Sequence, residues 1–400
     1  MIDPREIARR ARGIADRAAV ARSEPLLGAA DAPLPGGKPR GSRDIVAAFH
    51  ESAPVDPRRR PAGLVLAGGG AKGAYHAGAL QYLAEQDAQI VAVAGASVGA
   101  LNGALIAAAP TLHDAARMLC QVWQETAEAA GAPSHGSGDL MSESVSTRLR
   151  NLPGRLAGPM LRPGYLDRMI EKYLDPVALR DGLPLFISVF RSGDPALPSL
   201  NPFDYLRQQD WDGPARGLSK KRLAVVTDLL LSKTGAKKSD WLLANDLPER
   251  RMFNAILASA AIPVVMPPRN VDGTAMRDGG VLGGGNVPVA ALEGRISRVI
   301  AIHLDAFPLF HAGRFSGMDV IEIIPGSPLA PSGPLGAASA SLDLSPARVE
   351  ALTELGYADA ERTLQAAWAQ DAAQQAAAFL DYRRADAVRE LDEPLEGRQP

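Results

Sequence analysis

The sequence predicts an α/β protein, a three-layer sandwich with a mostly parallel central sheet flanked by helices. The apolar runs 63–67 and 90–94 each lead into a glycine-rich turn, and a helical pattern of small residues follows each turn. Apolar runs that alternate with helical patterns are typical of βαβ units, whose parallel strands are buried on both faces. Further apolar runs at 184–190, 298–304 and 320–324 are predicted to be strands of the same sheet.

The chain is predicted to have three parts. Residues 1–62 form an N-terminal helix at 2–23 and a proline-rich linker or strap. Residues 63–330 form the α/β domain, with a mobile lid or cap at 131–163 and a basic insert at about 191–245. Residues 331–400 form two helices, at 345–367 and 372–391, and a polar tail.

The insert contains a locally basic stretch. Residues 216–240 hold seven Lys and Arg against two Asp. A solvated helix is one interpretation, and a surface that meets anionic lipid headgroups is the other.

The composition excludes some classes of function. The formal net charge is −2 and aromatic residues make up 5% of the chain, so neither a global basic field nor a set of stacking platforms indicates nucleic-acid binding. Cys120 is the only cysteine, which rules out an intramolecular disulfide bond. With 46% hydrophobic residues, the chain has enough apolar material for a sizeable core.

Two stretches bear on membranes and targeting. The N-terminus has charges throughout and no apolar core region, so it is not a Sec-type signal peptide. The uncharged stretch 88–109 is long enough to span a bilayer, but Ser97 and Asn102 interrupt it. We predict a buried strand, turn and helix there, and a cytoplasmic protein or one peripheral at a membrane. Export by a route other than the Sec pathway is a further alternative.

The first turn is a glycine loop, GGGAKG at 68–73. Its Gly68-x-Gly70-x-x-Gly73 spacing also matches the dinucleotide-binding fingerprint. That fingerprint needs an acidic residue at the end of the second strand, whereas Glu85 and Asp87 precede that strand. Amides at the start of a helix stabilise negative charge, and aimed at an acyl centre they form an oxyanion hole. A nucleotide-binding module is the alternative from another class.

The second turn has the pattern G-x-S-x-G, with Ser97 between Gly95 and Gly99. A sharp turn from a strand into a helix presents such a serine as a nucleophile. A serine that only caps the helix accounts for Ser97 but not for the two glycines.

A nucleophilic serine needs a base, and Asp278 is the candidate. It ends a predicted strand and is followed by Gly279 and Gly280, whereas Asp272-Gly273 just before it predicts a two-residue hairpin turn. His303 and His311 come later in the chain, so a Ser–Asp–His triad is the rival arrangement. His76 is a further histidine that would line the site.

Taken together, the GGGAKG loop, the GASVG turn and the DGG triplet resemble the patatin-like phospholipases in kind and in order. The segments LASAAIPVVMPP before the hairpin and DGGVLGGGNVPV after it match that family too. The resemblance covers residues 63–290 and continues at 319–325 and 344–364. Residues 1–60 and 191–240 lie outside it.

The resemblance implies a Ser–Asp dyad, with Ser97 as nucleophile and Asp278 as the base. The implied oxyanion loop comprises Gly68, Gly69, Gly70, Lys72 and Gly73, with the amides of Gly69 and Gly70 as donors. Lys72 stands where many relatives have arginine.

The implied activity is hydrolysis of an acyl ester in a phospholipid or other lipid, with no metal and no cofactor. Peripheral membrane contact and an activating protein partner are compatible with the resemblance. An acyltransferase or thioesterase that uses the same serine stays open, and a non-catalytic lipid-binding protein is the least favoured alternative.

Overall fold

The computed structural model describes residues 55–131, 164–191, 239–261, 268–281, 286–308, 310–330, 340 and 343–392. The predicted helix at 2–23, most of the linker, the cap after residue 131, the basic stretch up to residue 238 and the polar tail after residue 392 lie outside these ranges. They stay predictions.

The described residues form eight strands and seven α-helices. The strands are β1 (Ala62–Leu66), β2 (Ile90–Ala96), β3 (Leu185–Arg191), β4 (Asp240–Leu243), β5 (Arg269–Val271), β6 (Thr274–Asp278), β7 (Arg298–Ile302) and β8 (Asp319–Ile323). The helices are α1 (Ala74–Glu85), α2 (Val98–Ala108), α3 (Leu112–Gly131), α4 (Tyr165–Tyr173), α5 (Pro176–Asp181), α6 (Glu249–Ser259) and α7 (Pro346–Asp392).

The strands form one mixed sheet in the order β5-β6-β3-β2-β1-β7-β8, and β4 also pairs with β3. The pairs β1–β2, β1–β7, β2–β3 and β7–β8 are parallel, while β3–β4, β3–β6 and β5–β6 are antiparallel. The predicted α/β class with a mostly parallel central sheet is therefore confirmed. The sequence missed β4, which is short and half-exposed.

Apolar side chains cover both faces of the sheet. On one face, alternate residues such as Leu64, Val93 and Ile300 pack under α1 to α7 in the main core. On the other face, Val65 and Val299 belong to a smaller core under the short 3-10 turn Val289–Leu292. The alternation follows from the period of two along a strand. The second covering layer is much thinner than the first in the described part of the chain.

The strand pairing brings three chain segments to one edge of the sheet. Leu66 at the end of β1 pairs with Gly95 of β2, and Ala96 pairs with Ser188 of β3. On the other side of β3, Val189 pairs with Asp278 at the end of β6. The glycine loop, the serine turn and the Asp-Gly-Gly triplet therefore begin at nearly the same position along the strand axes, within a few residues of one another.

The hairpin between β5 and β6 confirms the turn predicted from Asp272 and Gly273. Both residues have positive φ, 55° and 75°. That conformation at both central residues is the requirement of a type I′ turn, which Asp-Gly favours.

The C-terminal region forms one continuous helix, α7, so the prediction of two helices is wrong. Residues 368–371, where the break was expected, contain no glycine or proline to end a helix. Two glycines let α7 approach α1 closely. A Cβ on Gly78 would lie 1.7 Å from the Thr353 carbonyl oxygen, and one on Gly356 would lie 2.0 Å from that of Tyr75.

Among the helices in the described ranges, none has both the length and the apolar character needed to cross a membrane. The uncharged stretch 88–109 forms β2, the serine turn and α2. The prediction of a buried strand, turn and helix is confirmed.

Replacement of Gly356 tests the close approach of α1 and α7. Glycine to alanine within a helix ordinarily stabilises it by about 1 kcal/mol. Here the added methyl group meets backbone, so we expect Gly356→Ala to lower the free energy of unfolding by about 2 kcal/mol in urea denaturation. Gly103→Ala in α2 is the control, because its Cβ would meet only the ends of side chains, at 3.1 Å or more. An unchanged or raised stability for Gly356→Ala would contradict this packing.

Candidate active site

Ser97 lies in a strained turn between β2 and α2. Its backbone has φ 54° and ψ −126°, a conformation that non-glycine residues rarely adopt. A Cβ on Gly95 would lie 2.3 Å from the Gly99 carbonyl oxygen, and one on Gly99 would lie 2.2 Å from that of Leu66. Both glycines predicted for this elbow are therefore required, because a side chain at either position collides with backbone.

Ser259, at the end of α6, supports the elbow. Its hydroxyl accepts a hydrogen bond from the Ser97 amide (3.1 Å) and donates one to the Ser188 carbonyl oxygen (2.7 Å). The residue is fully buried. Sequence reasoning missed it, because the only signal is one hydroxyl at the end of a short apolar run in α6, 162 positions from its partner.

Asp278 is buried beside Ser97, with an exposed fraction of 3% against 6% for the serine. Its amide donates to the Ala261 carbonyl oxygen (3.2 Å), which fixes the end of β6 against the chain after α6. Burial raises the pKa of the Asp278 carboxyl to about 7, against the lowering effect of hydrogen bonds from the Ser97 side chain and the Gly280 amide. The Gly280 bond to Oδ1 is 2.8 Å. A buried carboxyl that titrates near neutrality and contacts a serine hydroxyl has the properties of a general base.

The two glycines after Asp278 allow close packing around the carboxylate. A Cβ on Gly279 would lie 2.3 Å from the Ser188 hydroxyl. A Cβ on Gly280 would lie 3.0 Å from Asp278 Oδ1 and 3.0 Å from Asn286 Oδ1. Asn286 is thus a further neighbour of the site. The sequence showed it only as part of the segment that follows the aspartate.

The glycine loop lies directly against the serine. A Cβ on Gly68 would lie 3.0 Å from the Ser97 Cβ and 2.4 Å from Asn286 Oδ1. The Gly68 amide donates to the Asn286 carbonyl oxygen (3.1 Å), so it is already engaged. Within the described part of the chain, the amides of Gly69 and Gly70 donate to no protein acceptor. They lie at the start of the 3-10 turn Gly70–Gly73, where the first amides have no acceptor within the turn itself.

The other members of the predicted oxyanion loop have structural contacts. The Lys72 ammonium group donates to the Leu304 carbonyl oxygen (2.8 Å), and burial lowers its pKa. Gly73 packs against Val98, and its carbonyl oxygen accepts a hydrogen bond from Asn102 (3.1 Å). These contacts tie the loop to the segment that follows β7 and to α2.

The two buried histidines have other neighbours. His303 lies in the core with Nε2 3.1 Å from Glu322, and burial lowers its pKa to about 4. His76 is fully buried, contacts the Asn102 amide at 3.2 Å, and has a pKa lowered by burial to about 3. In the ranges that the structure describes, neither these two nor the exposed His311 forms a hydrogen bond with Ser97 or Asp278.

Comparison with known proteins identifies the family. The model of the patatin-like phospholipase family matches residues 64–292, more than half of the chain. The chain belongs to the patatin-like phospholipase family. The matched region contains the glycine loop, the serine elbow and the Asp-Gly-Gly triplet.

Individual relatives share part of the chain. Uncharacterised NTE family proteins of Mycobacterium bovis and Mycobacterium tuberculosis are each 29% identical over 232 residues, which is 58% of this chain and 45% of theirs. The chain thus matches less than half the length of these relatives. Among solved structures, VipD from Legionella pneumophila has 14% sequence identity and a TM-score of 0.34 over 78% of this chain and 67% of that one.

Replacement of Ser259 tests the support of the elbow. Ser259→Ala leaves the buried Ser97 amide without its acceptor, so we expect the free energy of unfolding to fall by about 2 kcal/mol. Ser239→Ala is the control, since Ser239 donates one part-buried bond to the Gly279 carbonyl oxygen (2.8 Å). Chemical denaturation of the two variants should separate them, and an equal loss would show that Ser259 has no special part in holding the turn.

Proposed function

We propose that this protein is a lipid acyl hydrolase of the phospholipase A type, acting through an acyl-serine intermediate on a Ser97–Asp278 dyad. The observation that carries the proposal is the buried carboxyl of Asp278, whose pKa is raised to about 7 and whose partner is the Ser97 side chain. Family membership supports the lipid substrate.

In the first half of the reaction, Ser97 Oγ attacks the ester carbonyl carbon while its proton moves to the Asp278 carboxylate. The carbonyl oxygen becomes an oxyanion, which the free amides of Gly69 and Gly70 stabilise. Collapse of the tetrahedral intermediate breaks the bond to the alcohol. Asp278 returns the proton to the departing alkoxide, and the acyl group stays on Ser97.

In the second half, water takes the place of the alcohol. Asp278 accepts a proton from the water as it attacks the acyl carbonyl, and the same amides hold the second oxyanion. Ser97 Oγ then leaves with the proton from Asp278, and the fatty acid is released. The carboxyl group needs no imidazole partner, because it contacts the serine itself.

The proposed substrate is a phospholipid or another acyl-ester lipid, met by peripheral contact with a membrane surface. Family membership supports the lipid class. An activating protein partner stays a proposal to be tested by assay with and without candidate cell extracts.

Substitution of the two dyad residues tests the mechanism. We expect Ser97→Ala and Asp278→Asn each to lower kcat for a fluorogenic acyl ester by more than about 10³-fold, because each removes a group that acts in the transition state. Asp272→Asn is the matched control, six residues earlier on the exposed hairpin turn, and should keep wild-type turnover. Near-normal turnover of Asp278→Asn, together with loss in His303→Gln, would replace the dyad by the histidine triad.

The pH dependence follows from the raised pKa of Asp278. The carboxyl must be ionised to accept the serine proton, so we expect kcat/KM to fall below pH 7 and to reach a plateau above it.

The free energy of unfolding should change with pH in the opposite direction to kcat/KM. The folded-state pKa exceeds the unfolded value of about 3.9, so the native state binds more protons between these values and loses stability as the pH rises through about 7. A pH–rate profile and urea denaturation at pH 5 and pH 8 check both signs. Asp278→Asn should lack the loss of stability.

A further inference from the structure

Asn286 lies at the candidate active site with a side chain that no protein group engages. Its backbone is fixed, because its carbonyl oxygen accepts a hydrogen bond from the Gly68 amide (3.1 Å) and Val289, three residues on, is fully buried. Within the ranges that the structure describes, the carboxamide forms no hydrogen bond. The residue is half-buried, so this polar group is accessible and is left for a partner from the solvent or the substrate.

The carboxamide oxygen lies between the glycine loop and the Asp-Gly-Gly triplet. It is 2.4 Å from the position of a Cβ on Gly68 and 3.0 Å from that of a Cβ on Gly280. In a glycine a hydrogen on Cα points along that direction, so both residues direct a C–H group at Asn286 Oδ1. An acceptor gains from such contacts, whereas an amide N–H group does not. Asn286 therefore holds its acceptor, and not its amide nitrogen, against these two segments.

Both members of the candidate dyad lie next to the same two glycines. The Cβ position of Gly68 is 3.0 Å from Ser97 Cβ, and that of Gly280 is 3.0 Å from Asp278 Oδ1. No more than the width of a methyl group separates Asn286 Oδ1 from either of them. Asp278 Oδ1 and Asn286 Oδ1 are thus two acceptors on one side of Gly280. A molecule with two O–H groups is the natural bridge between them.

The accessible part of the site lies on the side of these acceptors. Ser97 and Asp278 are themselves buried. Gly70, Gly280 and Asn286 are each half-buried in the described part of the chain. A small molecule that approaches the dyad from this side therefore passes the Asn286 carboxamide before it meets the carboxylate.

Water and alcohols differ in what they require of two acceptors. In the second half of the proposed reaction, either molecule attacks the acyl carbonyl carbon and gives one proton to Asp278. Water keeps a second O–H group, which donates to a further acceptor, whereas an alcohol has an alkyl group in that place. A neutral amide oxygen suits the position, because a second carboxylate would raise the pKa of Asp278 further.

We propose that Asn286 selects water as the acyl acceptor, by accepting a hydrogen bond from the O–H group that Asp278 does not deprotonate. The inference rests on the proposed function, since it concerns the acyl group held on Ser97. The water oxygen bonds to the acyl carbon, and the tetrahedral intermediate keeps the O–H group that contacts Asn286. The bond to Ser97 Oγ then breaks as Asp278 returns the proton to Oγ, and the retained O–H becomes that of the fatty acid. Hydrolysis is thereby favoured over transfer to an alcohol.

The experiment measures how the acyl group is divided between water and methanol. A p-nitrophenyl ester is turned over in the presence of methanol, and the ratio of methyl ester to fatty acid is determined for wild type and two variants. We expect Asn286→Leu to raise this ratio about tenfold, the loss of one hydrogen bond to water. Asn270→Leu is the matched control and should keep the wild-type ratio, because Asn270 is exposed on the hairpin, where it accepts from the Gly273 amide (2.7 Å).

Asn286→Asp provides a second test, because it retains an acceptor and adds a charge. Well above pH 7 its ratio of products should stay near that of wild type. The added carboxylate should raise the pKa of Asp278, to which no charged group contributes in the native protein. We therefore expect the acidic fall of kcat/KM to move to higher pH by at least about half a unit, and Asn270→Asp to leave it in place.

The outcomes separate this inference from the proposed function. A wild type that releases no p-nitrophenol in a Ser97-dependent way would refute both. If Asn286→Leu loses turnover but divides the acyl group as wild type does, Asn286 is only structural and the dyad stands. If that variant does not fold, an unmoved pH profile in Asn286→Asp overturns the placement of Asn286 beside the base.

Discussion

The candidate site depends on one steric constraint: where β2 turns into α2, backbone segments pack so closely that only glycine fits at two positions. Gly95 faces the carbonyl of Gly99, and Gly99 faces that of Leu66, each with no room for a methyl group. This contact draws the start of α2 against the end of β1, where the glycine loop begins. It also holds Ser97 at a positive φ of 54°, a conformation that costs energy and persists only because its surroundings fix it. The Ser259 hydroxyl supplies part of that support.

The same packing explains the electrostatics. Because β3 lies between β2 and β6, the serine and the aspartate come from strands that are not neighbours in the sheet. Gly279 and Gly280 let Ser188 and Asn286 pack closely on the residues that follow Asp278. The Asp278 carboxyl is buried, and this burial raises its pKa to about 7. The hydrogen bonds from the Ser97 side chain and the Gly280 amide stabilise the ionised carboxylate, but their effect on the pKa is smaller than that of burial. A carboxyl that would be a weak base in water is thereby suited to accept a proton near neutral pH.

Local patterns predicted much of this arrangement. The apolar runs gave five of the strands, Asp272-Gly273 the hairpin between two more, and the glycine spacing the elbow, since each signal lies within a few residues. What they missed depends on contacts distant in sequence: Ser259 meets Ser97 only in the folded chain. β4 is only four residues long and directly follows a basic stretch, so it has no strand-length apolar run. α7 continues because residues 368–371, where a break was expected, contain no glycine or proline. The division of the chain at residues 62 and 330 stays a prediction.

Covalent labelling tests the central claim most directly. A fluorophosphonate probe reacts with a serine only where that serine is activated and an oxyanion site faces it. The account predicts that the probe modifies wild-type protein on the peptide containing Ser97, located by mass spectrometry, and that Asp278→Asn slows the modification strongly while Asp272→Asn does not. Modification of another serine, or an equal rate on Ser97 in all three proteins, would contradict it.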